Sequence, residues 1–243
     1  MFIKGIRREK HHYSNKYPFN IPALSKFSEL EFNTPVTFFI GENGSGKSTL
    51  IEAIATAYGF NPEGGSSNMS FSTFDSHSVL SDYIVIMRNP IRPKDGFFLR
   101  AESFYNVASF IEQLDGEDFS GKPLKQVYGG SLHECSHGES FLALLTNRLF
   151  GNGLYIFDEP EASLSPQRQL SMLNVIKDLV DNQSQFIIAT HSPILLSYPN
   201  STIYQFKNDA IQKIKYEESE PYLTTKDFLN NYKRWHELLF TNE

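Results

Sequence analysis

The segment Gly41-Glu42-Asn43-Gly44-Ser45-Gly46-Lys47-Ser48 constrains this chain more than any other. A short apolar, β-rich run, Val36-Thr37-Phe38-Phe39-Ile40, leads directly into it. Beyond it Leu50, Ile51, Ile54, Ala57 and Tyr58 recur at helical spacing, and Gly59 is placed to stop the helix. The expected unit is therefore a buried strand, a glycine loop and a helix. Glycines let the backbone turn so that several N–H groups point inward, and the helix adds its positive N-terminus. Such a cradle suits an anion, above all a phosphate. Asn43, Gly44, Ser45, Gly46 and Thr49 are the residues placed to line it. Lys47 supplies a compact charge for the terminal phosphates, and the Ser48 hydroxyl is a hard oxygen ligand suited to Mg²⁺.

Two more apolar runs end on polar residues. Leu154-Tyr155-Ile156-Phe157 leads to Asp158-Glu159, and Phe186-Ile187-Ile188-Ala189-Thr190 leads to His191. Between them Leu170, Leu173, Ile176 and Val180 form a helical stripe. Strands alternating with helices imply an α/β fold with a mainly parallel sheet. In such sheets the ligand sits at the carboxyl ends of the strands, so Lys47, Asp158 and His191 should meet there. Further along, Thr202 to Phe206 and Ile211 to Tyr216 flank Asn208-Asp209 and read as a hairpin. Tyr83 to Met87 and Phe97 to Ala101 read as strands with Pro93-Lys94-Asp95-Gly96 as the turn between them. Residues 59 to 78 read as a loop. Phe228, Tyr232, Trp235 and Leu239 mark a C-terminal helix.

Composition narrows the function classes. With 243 residues, 40% of them hydrophobic and 21% charged, the chain can fill a substantial core. Its one cysteine, Cys135, allows no internal disulfide and no cysteine-based metal site, which fits a reducing cytoplasm. The N-terminus lacks the apolar stretch of a signal peptide. No apolar run reaches the roughly 20 residues needed to span a bilayer, so direct membrane insertion is not expected. The net charge of −6 argues against a generally DNA-coating surface while leaving room for a local basic patch.

The acidic pair divides its labour by position. Asp158 would hold Mg²⁺ through its water shell. The Glu159 side chain leaves on a different face, where its carboxylate can accept a proton from a water attacking the γ-phosphate. His191 would hydrogen-bond the γ-phosphate or that water.

Together these residues resemble the ATP-binding cassette (ABC) ATPase superfamily. The glycine loop matches the Walker A pattern, Asp158-Glu159 the Walker B pattern, and Thr190-His191-Ser192 the switch histidine. Ser136-His137-Gly138-Glu139-Ser140, with Gly138 lying 20 positions ahead of Asp158, resembles the ABC signature. Ser136 and Gly138 match the signature's Ser and second Gly, while Cys135, His137, Glu139 and Ser140 depart from it. Ser163-Leu164-Ser165-Pro166 resembles the D-loop.

The resemblance implies a P-loop NTPase fold with an antiparallel β subdomain and a small helical lid lobe. It implies one ABC-type ATPase domain over residues 1–243, with the lobe at about 104–135 and the terminal helix at 225–240. It also implies Mg²⁺-dependent ATP hydrolysis by a head-to-tail homodimer, each ATP lying between Walker A of one chain and Ser136 and Gly138 of the other. The family's lid glutamine has no clear counterpart, and Glu102 is the stand-in at the Mg²⁺. For the adenine contact Tyr17 and Phe19 are candidates.

Within the superfamily, Pro193 after His191-Ser192 and the run Glu161-Ala162-Ser163-Leu164-Ser165-Pro166 resemble the soluble RecF, SMC and OLD-like branch. About 90 residues separate Ser48 from Ser136, far too few for a long coiled coil at about 1.5 Å per residue. That branch implies a DNA or protein client in DNA maintenance or defence. The alternative is the nucleotide-binding subunit of an ABC transporter. A pure interaction module is disfavoured by the intact Lys47, Asp158, Glu159 and His191.

Overall fold

A computed structural model describes residues 1–9, 16–66, 79–100, 142 and 145–241. Among these, β3 (Val36–Gly41), β6 (Asp95–Arg100), β7 (Gly153–Asp158), β8 (Gln185–Ala189) and β9 (Thr202–Lys207) run parallel. They form the middle of a seven-stranded sheet. Antiparallel strands β10 (Ala210–Ile214) and β4 (Gly65–Ser66) close its two sides, giving the order β10-β9-β3-β8-β7-β6-β4. A second, antiparallel sheet has the order β2-β1-β5, from β1 (Ile3–Arg8), β2 (Glu29–Glu31) and β5 (Ile84–Arg88).

Side chains alternate faces along a strand, so each central strand serves two cores. On one face Val36, Phe38, Ile40, Tyr155, Phe157, Phe186 and Ile188 pack under α3 (Pro166–Asp181) and α4 (Pro193–Leu196). On the other, Phe39, Leu154, Ile156, Ile187 and Ala189 pack with α2 (Lys47–Tyr58) and the small sheet. Leu50, Ile51 and Ile54 of α2 are fully buried, each worth about 1.5–3 kcal/mol. Gly59 ends α2 at φ 115°, its N–H on the carbonyls of Ala55 and Thr56. α1 (Pro22–Lys26) lies against β10.

One buried polar residue ties the two sheets together. Gln185 opens β8 with no solvent exposure. Its Oε1 accepts the N–H groups of Phe2 (2.7 Å) and Ile3 (2.9 Å), and its Nε2 donates to the Ile3 carbonyl at 2.8 Å.

Several expectations need correction. Asp95 and Gly96 are not a turn: they begin β6, because Asp95 is held by Arg148 (2.8 Å) and by the Tyr155 hydroxyl (2.8 Å). The strands on either side of residues 89–94 therefore belong to different sheets. Tyr83 closes a 3₁₀ turn and the strand begins at Ile84. The buried stripe of α3 is Met172, Ile176 and Leu179, whereas Leu170 points to solvent. The stretch expected to be loop contains β4. The hairpin stands, with Asn208 and Asp209 both at positive φ, as a tight turn between twisted strands requires. The C-terminal helix, α5 (Glu220–Phe240), begins earlier than residue 225. It buries none of its side chains, so Phe228, Tyr232 and Leu239 are exposed. The expected helical lobe at 104–135 lies outside the described residues. Among the described residues no helix is long and apolar enough to cross a membrane.

Candidate functional site

Register explains why the key residues meet. Phe39 of β3 and Asp158 of β7 both pair with Ala189 of β8, which lies between them. The chain therefore leaves three adjacent strands at one level, through Gly41, Glu159 and His191. The glycine loop follows β3 and feeds α2, with Gly44 at φ 78° and Gly46 at φ 100°. A Cβ on Gly44 would meet nothing within 4 Å, so the loop is open at its centre.

Lys47 is buried, and its Nζ donates to the carbonyls of Gly41 (2.7 Å) and Glu42 (2.9 Å). Burial pushes its pKa down, while the carboxylates of Glu159, Asp158 and Glu161 favour its charge. The Ser48 hydroxyl donates to Asp158 Oδ1 at 3.0 Å, and Asp158 is itself buried. A hydroxyl and a carboxylate this close can serve one hard divalent cation, with water and phosphate oxygens completing its shell. Among the described residues no group of three or more His, Cys, Asp or Glu side chains is arranged to hold a metal ion by itself. Mg²⁺ needs none, since it is commonly held by one or two carboxylates plus substrate phosphates. The loop, Lys47, Ser48 and Asp158 thus fit a Mg²⁺-nucleotide.

Glu159 adopts φ 51°, ψ 50°, a left-handed conformation that costs a non-glycine residue about 1 kcal/mol or more. Its N–H donates to the Ala189 carbonyl at 2.9 Å, and its carbonyl accepts from Ala162 at 3.1 Å. This turn carries the carboxylate away from Asp158 and towards His191, whose Nε2 lies 3.5 Å from Glu159 Oε1. That is ion-pair distance, and no hydrogen bond forms on this nitrogen among the described residues. Both side chains are more than one-third exposed, although the His191 Nε2 atom itself is buried. A cavity of about 300 Å³ lies beside His191, lined also by Gly41, Glu42, Gln205 and the first turns of α5.

Of the two adenine candidates, Phe19 is unavailable. It is buried against Tyr83 with ring centroids 5.1 Å apart. Tyr17 is exposed and its hydroxyl contacts Thr49 Oγ1 at 3.0 Å. Glu102, Ser136 and Gly138 lie outside the described residues. The strand leading towards Glu102 ends at Arg100, which pairs in register with Asp158.

Two residues that the sequence reading does not single out join this site. Glu161 accepts the His191 N–H on Oε1 at 2.5 Å. Gln169 accepts the Ser192 hydroxyl on Oε1 at 2.5 Å. Neither belongs to an apolar period. Only the single turn starting at Pro160 brings Glu161 back to the end of β8.

Comparison with known proteins agrees with this fold. Residues 19–115 match a family described as an AAA domain, and residues 141–196 one described as an AAA ATPase domain. An ATP-binding cassette of an ABC transporter, MJ1267, superposes with a TM-score of 0.51 at 19% identity, covering 96% of this chain and 97% of that one. This is the ABC ATPase fold. Its glycine loop, small antiparallel sheet and parallel core are those expected from the sequence. The chain is 26% identical over 234 residues to the lipoprotein-releasing system ATP-binding protein LolD of Buchnera aphidicola subsp. Schizaphis graminum, covering 86% of this chain and 98% of that one. It is 24% identical over 213 residues to the cobalt import ATP-binding protein CbiO of Salmonella typhimurium, covering 79% and 74%.

Proposed function

We propose that this ABC-type ATPase binds ATP with Mg²⁺ at the ends of β3, β7 and β8 and hydrolyses it as an ATP-sandwiched homodimer in the cytoplasm. The convergence of Lys47, Ser48, Asp158, Glu159 and His191 on one open loop carries this reading. Asn43, Gly44, Ser45, Gly46 and Thr49 surround the phosphates. Lys47 exchanges its loop carbonyls for β- and γ-phosphate oxygens. Ser48 and Asp158, with Glu102, hold Mg²⁺, which when bound offsets the phosphate charge. Glu159 takes a proton from water as the water oxygen bonds to the γ-phosphorus and the bond to the β-phosphate oxygen breaks. His191 donates a hydrogen bond to the γ-phosphate or to the attacking water. Ser136 and Gly138 of the second chain close the site.

The decisive variant is Glu159→Gln. It should bind ATP, lower turnover by roughly 10²–10⁴-fold and accumulate an ATP-bound dimer in analytical ultracentrifugation. Unchanged turnover would refute the role given to Glu159, and a monomer at saturating ATP would refute the sandwich.

We read the client as DNA or another protein, in DNA maintenance or defence. The trapped dimer should then bind DNA at low salt and release it as salt rises, or retain a soluble protein. The likeness to LolD and CbiO favours a second reading, a transporter's nucleotide-binding subunit. That reading requires co-purification with an integral membrane protein, and a chain that turns over ATP fully without one counts against it.

A further inference from the structure

No hydrogen bond on Nε2 holds the His191 imidazole in place among the described residues, and the ring is more than one-third exposed. Two side chains grip consecutive residues here, one at the His191 main chain and one at the Ser192 hydroxyl.

Pro160 opens a single 3₁₀ turn, Pro160–Ser163, directly after the left-handed Glu159. The turn returns Glu161 to the end of β8, where Oε1 takes the His191 N–H at 2.5 Å. Burial pushes the Glu161 pKa up, while the His191 N–H and the Thr190 hydroxyl favour its charged form. A carboxylate on an N–H makes a short bond, roughly twice as strong as a neutral one. The second grip starts in α3. Gln169 Nε2 donates to the Leu164 carbonyl at 3.0 Å, while its Oε1 accepts the Ser192 hydroxyl at 2.5 Å. Ser192 Oγ in turn accepts the N–H groups of Ile194 and Leu195, both at 3.1 Å. The segment after Glu159 is thus bolted to the segment carrying His191 at two points.

We infer that Glu161, assisted by Gln169, is the positioning residue that holds His191 against Glu159; its catalytic consequence rests on the ATP-hydrolysis reading above. The clamp joins the two reacting side chains into one rigid unit, so displacement of residues 161–164 carries His191 with it.

The test uses the full chain with Glu161→Ala, Glu161→Gln and Gln169→Leu, each checked for an intact fold by circular dichroism. The first readout needs no turnover: the His191 imidazole signals in ¹H–¹⁵N spectra of nucleotide-free protein, assigned with His191→Asn. Glu161→Ala should shift them. Glu161→Gln, whose amide oxygen still accepts the N–H, should restore them, and Gln169→Leu should shift them less. The second readout is kinetic. Glu161→Ala should lower kcat roughly tenfold to a hundredfold with the ATP Kd within about twofold. Glu161→Gln should recover most of that loss. Unmoved His191 signals in Glu161→Ala, or equal loss in Glu161→Ala and Glu161→Gln, would overturn the clamp. A wild-type chain without turnover would instead sink the hydrolysis reading, and the clamp would still stand or fall on the spectra.

Discussion

Replacing Gln185 by leucine tests whether one buried amide holds the two sheets together. Leucine is comparable to glutamine in bulk, though it branches one carbon earlier, and it makes no hydrogen bond. The change strands the N–H groups of Phe2 and Ile3 and the Ile3 carbonyl, all of which Gln185 now satisfies. Phe2 is 3% exposed and Ile3 fully buried, so solvent offers little relief. Each unsatisfied buried group costs about 1–3 kcal/mol. The lower figure for all three sums to about 3 kcal/mol. With a urea m-value near 3 kcal/mol/M, the midpoint should fall by about 1 M at unchanged m. Equilibrium urea unfolding followed by far-UV circular dichroism measures it.

The Gln185→Glu variant sharpens the assignment. A protonated carboxyl at this position can accept both N–H groups and donate to the Ile3 carbonyl as the amide does. Ionised, it sets a buried charge against that carbonyl. The folded-state pKa is then raised above the unfolded value, so the native state binds the extra proton and Gln185→Glu should lose stability as pH rises through that window. A leucine variant whose midpoint drops by less than about 0.3 M, at a comparable m-value, would show that Gln185 is not what holds the sheets, leaving apolar packing and the Tyr204 hydroxyl bond to the Glu31 carbonyl.

Two further outcomes follow from the loop. Gly46→Ala places a Cβ 3.0 Å from Leu24 Cδ1 and 3.1 Å from Ile21 Cγ2 at φ 100°, so it should cost about 1–3 kcal/mol and weaken ATP binding at least about tenfold by calorimetry. Ser48→Ala removes the hydroxyl 3.0 Å from Asp158, so half-maximal ATPase activity should require roughly tenfold more Mg²⁺ or above, while Mg²⁺-free nucleotide affinity changes little. Equal losses with and without Mg²⁺ would remove Ser48 from the metal.

What can be read from the sequence has local causes. The strand-loop-helix around Gly46, the strand ending on Asp158 and the strand ending on His191 each announce themselves within about ten residues, through an apolar run and a polar stop. What escapes depends on pairs distant in sequence. Asp95 looks like part of a turn because its partners Arg148 and Tyr155 lie far downstream. Leu170 completes a helical period, yet Met172 rather than Leu170 faces the sheet. Glu161 is visible only as part of a motif. Its bond to the His191 main chain depends on how far a single turn swings the chain, which no periodicity encodes. Phe19 reads as available for a base because its cover, Tyr83, comes from a distant turn.

The sheet order has a consequence for how the chain comes together. β8 is the last of its three strands to be synthesised, yet it lies between β3 and β7. No partly assembled sheet that lacks it can bring Lys47, Asp158 and His191 to the same level. A nucleotide would therefore recognise only molecules whose central strand has been inserted. At a concentration about 100 times its Kd, it would favour them by about 2.7 kcal/mol. ATP would then act as an inspector of assembly before it acted as a fuel.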